Sequence, residues 1–254
     1  MRLQNMSFKA AERYFAARDI AVIPVGSIEN HGSHLCLGTD FIIPSHIAET
    51  LDRELDVLIL PGIPYGVADH HFGFPGTISI GYEGLKLVVG KICDALYEDG
   101  IQRFVFLNGH GGNDQALMDV GMALEERGCI SALCNWWQLA GQIKPEWAGG
   151  HAGEEETAAI MAIDPSLVHM EDYMPLRPRD LSDELPVSGM RTVRFGGADF
   201  IVPRHFKTLS ESGWYGPDDP KDATREWGEE MLAAVTKLIV DFVAAFERAP
   251  LPRV

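Results

Sequence analysis

Short apolar runs alternate with amphipathic segments along most of this chain. The runs are bounded by glycine, proline or polar residues, which is typical of strands buried inside a sheet. The segments between them carry apolar residues at three- and four-residue spacing, which is typical of helices with one buried face. The pattern predicts strands over 21–25, 56–60, 104–107 and 129–134, and helices over 7–18, 44–55, 85–97, 114–127, 154–163 and 224–248.

This alternation of strands and helices predicts an α/β fold with a mainly parallel central sheet and helices on both of its faces. We expect a single domain over residues 1–254. Residues 166–220 have a weaker pattern, with one strand or hairpin near 190–202. The last helix has an apolar stripe that we interpret as core packing: Trp227, Met231, Val235, Leu238, Phe242 and Phe246.

A polar, glycine-rich stretch, residues 26–40, follows the first predicted strand. In extended chain Glu29 and His31 lie on one face, because side chains two residues apart point the same way. Gly32 and Gly38 allow the tight turn that brings Asp40 back towards them. Glu, His and Asp are the ligands that Zn²⁺, Mn²⁺ or Fe²⁺ takes at a hydrolytic centre. The alternative is an ordinary polar surface turn.

Two further histidines lie in glycine-rich segments. His110 directly follows the predicted strand 104–107, so it opens at the same edge of the sheet as residues 26–40, where sites form in parallel sheets. His151 precedes Glu154, Glu155 and Glu156, which also suit the acidic first turn of a helix. We place Glu155 on the solvated face. Local sequence alone leaves a structural role for His110 open.

Composition narrows the classes of partner and compartment. A formal net charge of −16 disfavours nucleic acid and anionic membrane surfaces. The four cysteines form no CxxC pair, which favours reduced thiols in the cytoplasm. No apolar run is long enough to span a bilayer, and the first residues carry no signal-peptide pattern. We therefore expect a soluble, cytoplasmic protein.

Taken together, these motifs resemble the creatininase (creatinine amidohydrolase) family. The matching segments, in the order of the family, are GSIENHG at 26–32, GTD at 38–40, FPGT at 74–77, LNGHGGN at 107–113 and HAGEEET at 151–157. The resemblance implies a three-layer α/β/α fold, frequently assembled as a homohexamer. It also implies two divalent metal ions (Zn, Mn or Fe) and hydrolysis of a non-peptide C–N bond in a cyclic or linear amide of a small molecule.

The resemblance also implies roles for individual residues. Glu29 and His110 would bind one metal, His31 would bind the other, and Asp40 would bridge them. Creatininase has a further glutamate ligand where this chain has Gly112, and we expect Glu154 to replace it. His151 would be the catalytic histidine, and Glu156 would either orient it or bind a metal. Substrate contacts are implied for three further residues: Trp137, Trp147 and His71.

The expected mechanism is attack on an amide carbonyl by a metal-bridging water of lowered pKa. The short loop before Phe74 and the glycine at position 150 disfavour creatinine itself as the substrate. The same centre would also serve a formamide hydrolase (deformylase), a lactonase or a metal-assisted isomerase of a small sugar or acid. A non-catalytic metal-binding member of the family is the alternative outside enzymes.

Overall fold

The computed structural model describes residues 1–252. Its central sheet has four parallel strands in the order β2-β1-β3-β4. The strands are β1 (Ile20–Val25), β2 (Leu58–Ile59), β3 (Arg103–Asn108) and β4 (Ile130–Asn135). The helices are α1 (Phe8–Phe15), α2 (Thr39–Glu54), α3 (Gly81–Glu98), α4 (Asp114–Glu125), α5 (Trp136–Ile143), α6 (Glu154–Ile163), α7 (Phe206–Leu209) and α8 (Arg225–Phe246).

Alternating side chains of the strands supply two separate apolar cores. Ile20 and Val22 of β1 pack with α2, α5, α6 and α8 on one face of the sheet. Ala21 and Ile23 pack with α3 and α4 on the other face. The predicted three-layer α/β/α fold with a parallel central sheet is therefore confirmed.

Most of the predicted elements are present, with shifted ends. The helix predicted over 44–55 begins at Thr39, so Pro44 lies inside α2 and Asp40 in its first turn. Pro44 removes only the hydrogen bond to the Asp40 carbonyl near the start of the helix, which α2 tolerates. The closing helix is present as α8.

The apolar stripe predicted for α8 is correct for only part of its length. Met231 and Val235 are buried, whereas Leu238 is 41% exposed and Phe242 is 39% exposed. The buried face continues instead through Ile239 and Val243. A helix with 3.6 residues per turn has more than one possible apolar row, and the sequence alone did not distinguish them.

Residues 166–220 contain a small antiparallel sheet formed by β5 (Val187–Gly189), β6 (Thr192–Phe195) and β7 (Ala198–Ile201). The expected hairpin near 190–202 corresponds to β6 and β7. All four cysteines are free, as predicted. Within residues 1–252, no helix combines the length and apolar character needed to cross a membrane.

Candidate metal centre

The candidate metal centre lies at the carboxyl ends of β1 and β3, which finish side by side because Val25 pairs with Asn108. Glu29 and His31 follow β1, and His110 follows β3. The side-chain oxygen of Asn108 accepts a hydrogen bond from the backbone N–H of His110, which fixes the turn. The sheet therefore brings together the polar segments that the sequence placed at one edge.

Asp40 lies between two imidazoles. Its Oδ1 is 3.0 Å from Nε2 of His31, and its Oδ2 is 3.0 Å from Nδ1 of His110. Nε2 of His110 is 3.1 Å from Oε2 of Glu29. These four side chains are buried, and Asp40 touches both halves of the cluster.

Two groups of side chains in this cluster have the spacing of metal ligands, and they share Asp40. One group is Glu29, Asp40 and His110, and the other is His31, Asp40 and Glu156. Within each group the ligand atoms lie within 4.8 Å of one another. A shared carboxylate between two such groups is the arrangement of a two-metal site. A third group with the same spacing joins Glu29, His31 and His151.

The donor atoms of the cluster fit metal ions. Oε1 of Glu29 and Oδ2 of Asp40 are buried and make no hydrogen bond of adequate geometry. A buried carboxylate oxygen without a partner is costly, and a cation removes that cost. Carboxylate oxygens and imidazole nitrogens together suit Zn²⁺ or Mn²⁺.

Backbone carbonyls fix which nitrogen of each histidine carries hydrogen, because a carbonyl can only accept. Nδ1 of His31 lies 3.1 Å from the Glu29 carbonyl, so Nε2 faces Asp40. Nε2 of His110 lies 3.0 Å from the Val67 carbonyl, so Nδ1 faces Asp40. Such hydrogen bonds orient metal-binding imidazoles.

The electrostatics of the cluster favour positive charge between the carboxylates. Burial disfavours the charged imidazole of His110, but Glu29 and Asp40 outweigh it and raise its pKa to about 9. Burial has the same effect on His31, and Asp40 and Glu156 hold its pKa well above the ordinary value. In the metal-free protein, protons on these two rings supply the charge that cations would otherwise provide.

The pKa values of the carboxylates depend on the same neighbouring groups. Burial raises the pKa of Glu29 to about 7, although His110 opposes it. Burial also raises the pKa of Glu156 to about 7, against the effect of His31. Burial acts on Asp40 in the same direction, but His31 and His110 hold its pKa well below its usual value.

The three glutamates at the start of α6 have different surroundings. Oε2 of Glu156 accepts a hydrogen bond from the backbone N–H of Ala152 at 2.6 Å and lies 3.6 Å from Nε2 of His31. Glu154 is half-buried and belongs to none of the ligand groups among residues 1–252. Of the two glutamates considered for the last ligand, Glu156 and not Glu154 therefore lies in a candidate ligand group, because positions two apart on a helix face different ways.

Glu155 does not lie on the solvated face that the sequence suggested. It is only 2% exposed, and its Oε1 has no hydrogen-bond partner. Burial, and then the neighbouring Glu156, hold the pKa of the Glu155 carboxyl well above its usual value.

His151 stands beside the cluster as a neutral base. Its Nε2 donates to the Asn30 carbonyl at 2.7 Å, and its Nδ1 is 3.9 Å from Oε1 of Glu29. Burial lowers the pKa of His151 well below its ordinary value, and the charge of His31 lowers it further. His71 is also buried, and its Nε2 lies 3.2 Å from the same Glu29 oxygen. Both histidines therefore face the cluster, as their predicted roles require.

A cavity of about 190 Å³ opens onto the cluster. Trp137 is part of its wall, as expected for a substrate contact. Trp147 is 1% exposed and packs in the core rather than in the cavity wall, so the structure does not place it at a bound substrate. Sequence reasoning missed His70 and Arg191 as wall residues. His70 had a signal in its neighbour His71, whereas Arg191 lies in the part of the chain without a motif.

Gly112 marks the clearest difference from creatininase. A Cβ at this position would overlap the Val67 carbonyl and Nε2 of His110. The structure therefore has no room for a glutamate side chain here, and the ligand group around His110 is built without it.

Comparison with known proteins shows the family of this chain. The family model described as Creatininase (creatinine amidohydrolase) matches residues 4–243. The chain belongs to the creatininase family. Its members include enzymes that hydrolyse amide bonds and enzymes that hydrolyse peptide bonds, so the family does not support the narrower expectation of a non-peptide bond.

Individual relatives are similar over most of their length. The chain is 30% identical to the mycofactocin precursor peptide peptidase of Mycolicibacterium smegmatis, covering 90% of this chain and 85% of the relative. It is 27% identical to the creatinine amidohydrolase of Pseudomonas putida, covering 94% of each. A solved structure described as a manganese creatininase has a TM-score of 0.79 at 22% identity, covering 98% of this chain and 99% of that one, which shows the shared fold.

Proposed function

We propose that this protein is an amidohydrolase with two divalent metal ions that cleaves a C–N bond in a cyclic or linear amide of a small molecule. The observation that carries the proposal is the pair of ligand groups that share Asp40. Glu29 and His110 would hold one ion, His31 and Glu156 the other, with Asp40 between them. Zn²⁺, Mn²⁺ or Fe²⁺ fits these donors.

Bound ions of this kind supply Lewis-acid chemistry, polarising a carbonyl and lowering the pKa of water. The chain itself supplies the proton transfers. Because Nε2 of His151 is committed to the Asn30 carbonyl, its Nδ1, which faces Glu29, would accept a proton released by the attacking water and pass it to the leaving nitrogen. Glu156 fixes the backbone after His151 through Ala152 and faces His31. Trp137 limits the positions open to the substrate.

A peptide amide is the second candidate, and the similarity to a peptide peptidase over most of both chains favours it. Arg191 in the cavity wall is a suitable partner for a carboxylate group of such a substrate. Formamides and lactones remain further candidates, because the same ligands serve them. A panel of cyclic amides, formamides, lactones and short peptides, with product identification, distinguishes these classes.

The test of the metal site is the variant His110→Ala. We expect wild type purified from metal-replete medium to hold about two ions per chain. The variant should lose bound metal and at least about 100-fold in activity. Even mutation of a residue that only hydrogen-bonds a metal ligand typically lowers metal affinity or activity by about 10–100-fold. Circular dichroism should show a folded chain. A folded variant that keeps its full metal content would contradict the ligand assignment.

We also propose that residues 1–254 form one domain, that the protein is cytoplasmic, and that it assembles as a homohexamer. Exposed apolar side chains on α3 and α4, at Leu87 and Met122, support a surface between chains. Light scattering should give six times the chain mass of 28.0 kDa. A monomeric mass at micromolar concentration would contradict the assembly.

A further inference from the structure

Glu155 is a buried carboxyl that the proposed metal centre does not use. It lies in the first turn of α6 and is 2% exposed, yet it forms part of the cavity wall. Its Oε1 makes no hydrogen bond, and Glu155 belongs to none of the ligand groups in the part of the chain that the structure describes. The Gly149 backbone supports the carboxyl, but Oε1 has no partner within the described protein.

The surrounding backbone is built to hold this side chain. A Cβ at Gly149 would overlap the Cβ and Oε2 of Glu155. A Cβ at Gly150 would overlap the Tyr215 carbonyl and the Gly216 backbone. Only glycine fits at either position, and Gly149 is the one that leaves room for the Glu155 side chain. The Oε2 side of the carboxyl is thereby closed off, and Oε1 is the oxygen left without a partner.

The chemistry of the missing partner follows from the carboxyl. A buried acceptor without a donor costs free energy, and a ligand with an N–H group removes that cost on binding. Arg191 and Glu155 both line the cavity. The Glu155 carboxyl keeps an acceptor oxygen in its neutral form as well as in its charged form, whereas a lactone or ester oxygen has no hydrogen to donate to it.

We infer that Glu155 is a specificity-determining residue that accepts a hydrogen bond from an N–H group of the substrate, beside the carbonyl that faces the metal ligands. The inference rests on the proposed function and narrows it, because it favours lactams, formamides, ureas and peptides over lactones. A site built to bind an N–H group discriminates strongly against an analogue that lacks it.

The test compares two small probes on the full-length, metal-loaded protein. 2-Pyrrolidinone and cyclopentanone are both five-membered rings with one carbonyl, and only 2-pyrrolidinone has an N–H group. Their Kd values are measured by NMR titration for wild type, E155M, E155Q and E98L. Methionine removes the acceptor at similar length, and glutamine keeps an acceptor oxygen. E98L is the control for charge, because Glu98 ends α3 with its side chain 79% exposed.

We expect wild type and E98L to bind 2-pyrrolidinone at least about tenfold more tightly than cyclopentanone, equivalent to about 1.4 kcal/mol. The ratio should fall to about one in E155M and stay intermediate in E155Q. Metal content should be equal in all four proteins.

Equal affinities in wild type, or no saturable binding of either probe, would overturn the inference without any variant. A ratio in E155M within about twofold of wild type would also overturn it, and so would loss of metal from E155M, which would make Glu155 part of the metal centre. Failure of the proposed function appears separately, as absence of bound metal or of hydrolysis across the substrate panel.

Discussion

Glu154 and Glu156 lie two residues apart on α6 and test the ligand assignment directly. Glu156 faces His31, whereas Glu154 is half-buried beside Asp218 and Asp222, which together with burial raise its pKa. We expect E156Q to lower bound metal from about two ions per chain to about one, with activity falling by at least about 10–100-fold. E154Q is the matched control and should keep both ions.

Metal analysis of the two purified variants decides the question. If E154Q lost an ion while E156Q kept both, the original expectation for Glu154 would be restored and the geometry of the cluster would need another explanation.

Gly112 and Gly90 offer a second comparison at the level of single residues. A Cβ at Gly112 would overlap His110 and the Val67 carbonyl, whereas Gly90 in α3 has nothing within 4 Å of such an atom. We expect G112A to lose about 1–3 kcal/mol of unfolding free energy through overpacking, with weaker metal binding. G90A should gain about 0.5–1 kcal/mol, because alanine favours the helix. Urea unfolding measures both, and unchanged stability in G112A would show that the turn relaxes easily.

Individual elements differ in how well the sequence predicts them. Strands β1 and β3 are short, apolar and buried on both faces, so their pattern is unambiguous. The start of α2 was missed because Pro44 suggested a first turn, whereas the helix begins at Thr39. The sequence around Thr39 carries no local signal for the start of α2, so tertiary packing decided where the helix begins.

The candidate site also has residues that the sequence predicts and residues that it does not. Glu29, His31 and His110 could be grouped from the sequence because they follow buried parallel strands at one edge of the sheet. Asp40 joined them through the glycine-rich turn before α2. The choice of Glu156 over Glu154 depends on helix phase after the turn at Ala152, where φ is +52°. Three adjacent glutamates in the sequence do not indicate which of them faces the cluster. Arg191 comes from the antiparallel sheet, whose position over the cavity has no pattern in the sequence.

At the level of a whole helix, α8 tests which apolar row packs against the sheet. Ile239 is fully buried and its neighbour Leu238 is 41% exposed. We expect I239A to lower the free energy of unfolding by about 2–5 kcal/mol, because it leaves a cavity in the core. L238A should change it by less than about 0.5 kcal/mol. Chemical denaturation of the two variants gives the comparison, and equal losses would place Leu238 in a packed interface.

For the whole molecule, the titrating groups of the metal centre couple its stability to pH and to metal. His110 has a folded pKa of about 9 against 6.5 for a free imidazole, and the pKa of His31 is raised in the same direction. The folded metal-free protein therefore binds more protons than the unfolded chain between pH 6.5 and 9. The resulting stability is complete below pH 6.5 and is lost as the pH rises towards 9, by on the order of 3 kcal/mol for His110.

The other shifted groups act mainly at lower pH. Glu29 and Glu156, with pKa values of about 7, lose their contribution between pH 4.5 and 7. His151 and His71 have lowered pKa values, so the stability that they provide is already complete above pH 6.5. The pKa of Glu155 is also held well above its usual value, so its contribution falls in the same direction, and the range from pH 7 to 9 reports on His110, His31 and Glu155 together.

Metal ions should reverse this dependence. A cation binds the deprotonated imidazole and replaces the proton between the carboxylates, so its affinity rises with pH. We expect the Tm of chelator-treated protein to fall from pH 7 to 9, while the increase in Tm on adding Zn²⁺ or Mn²⁺ grows over the same range. Scanning calorimetry of treated and reloaded protein at several pH values measures both. H110A is the control and should lose the part of the pH dependence that His110 supplies, because it removes the proton and the ligand together. A metal-induced increase in Tm that is independent of pH would place the ions away from His110 and His31.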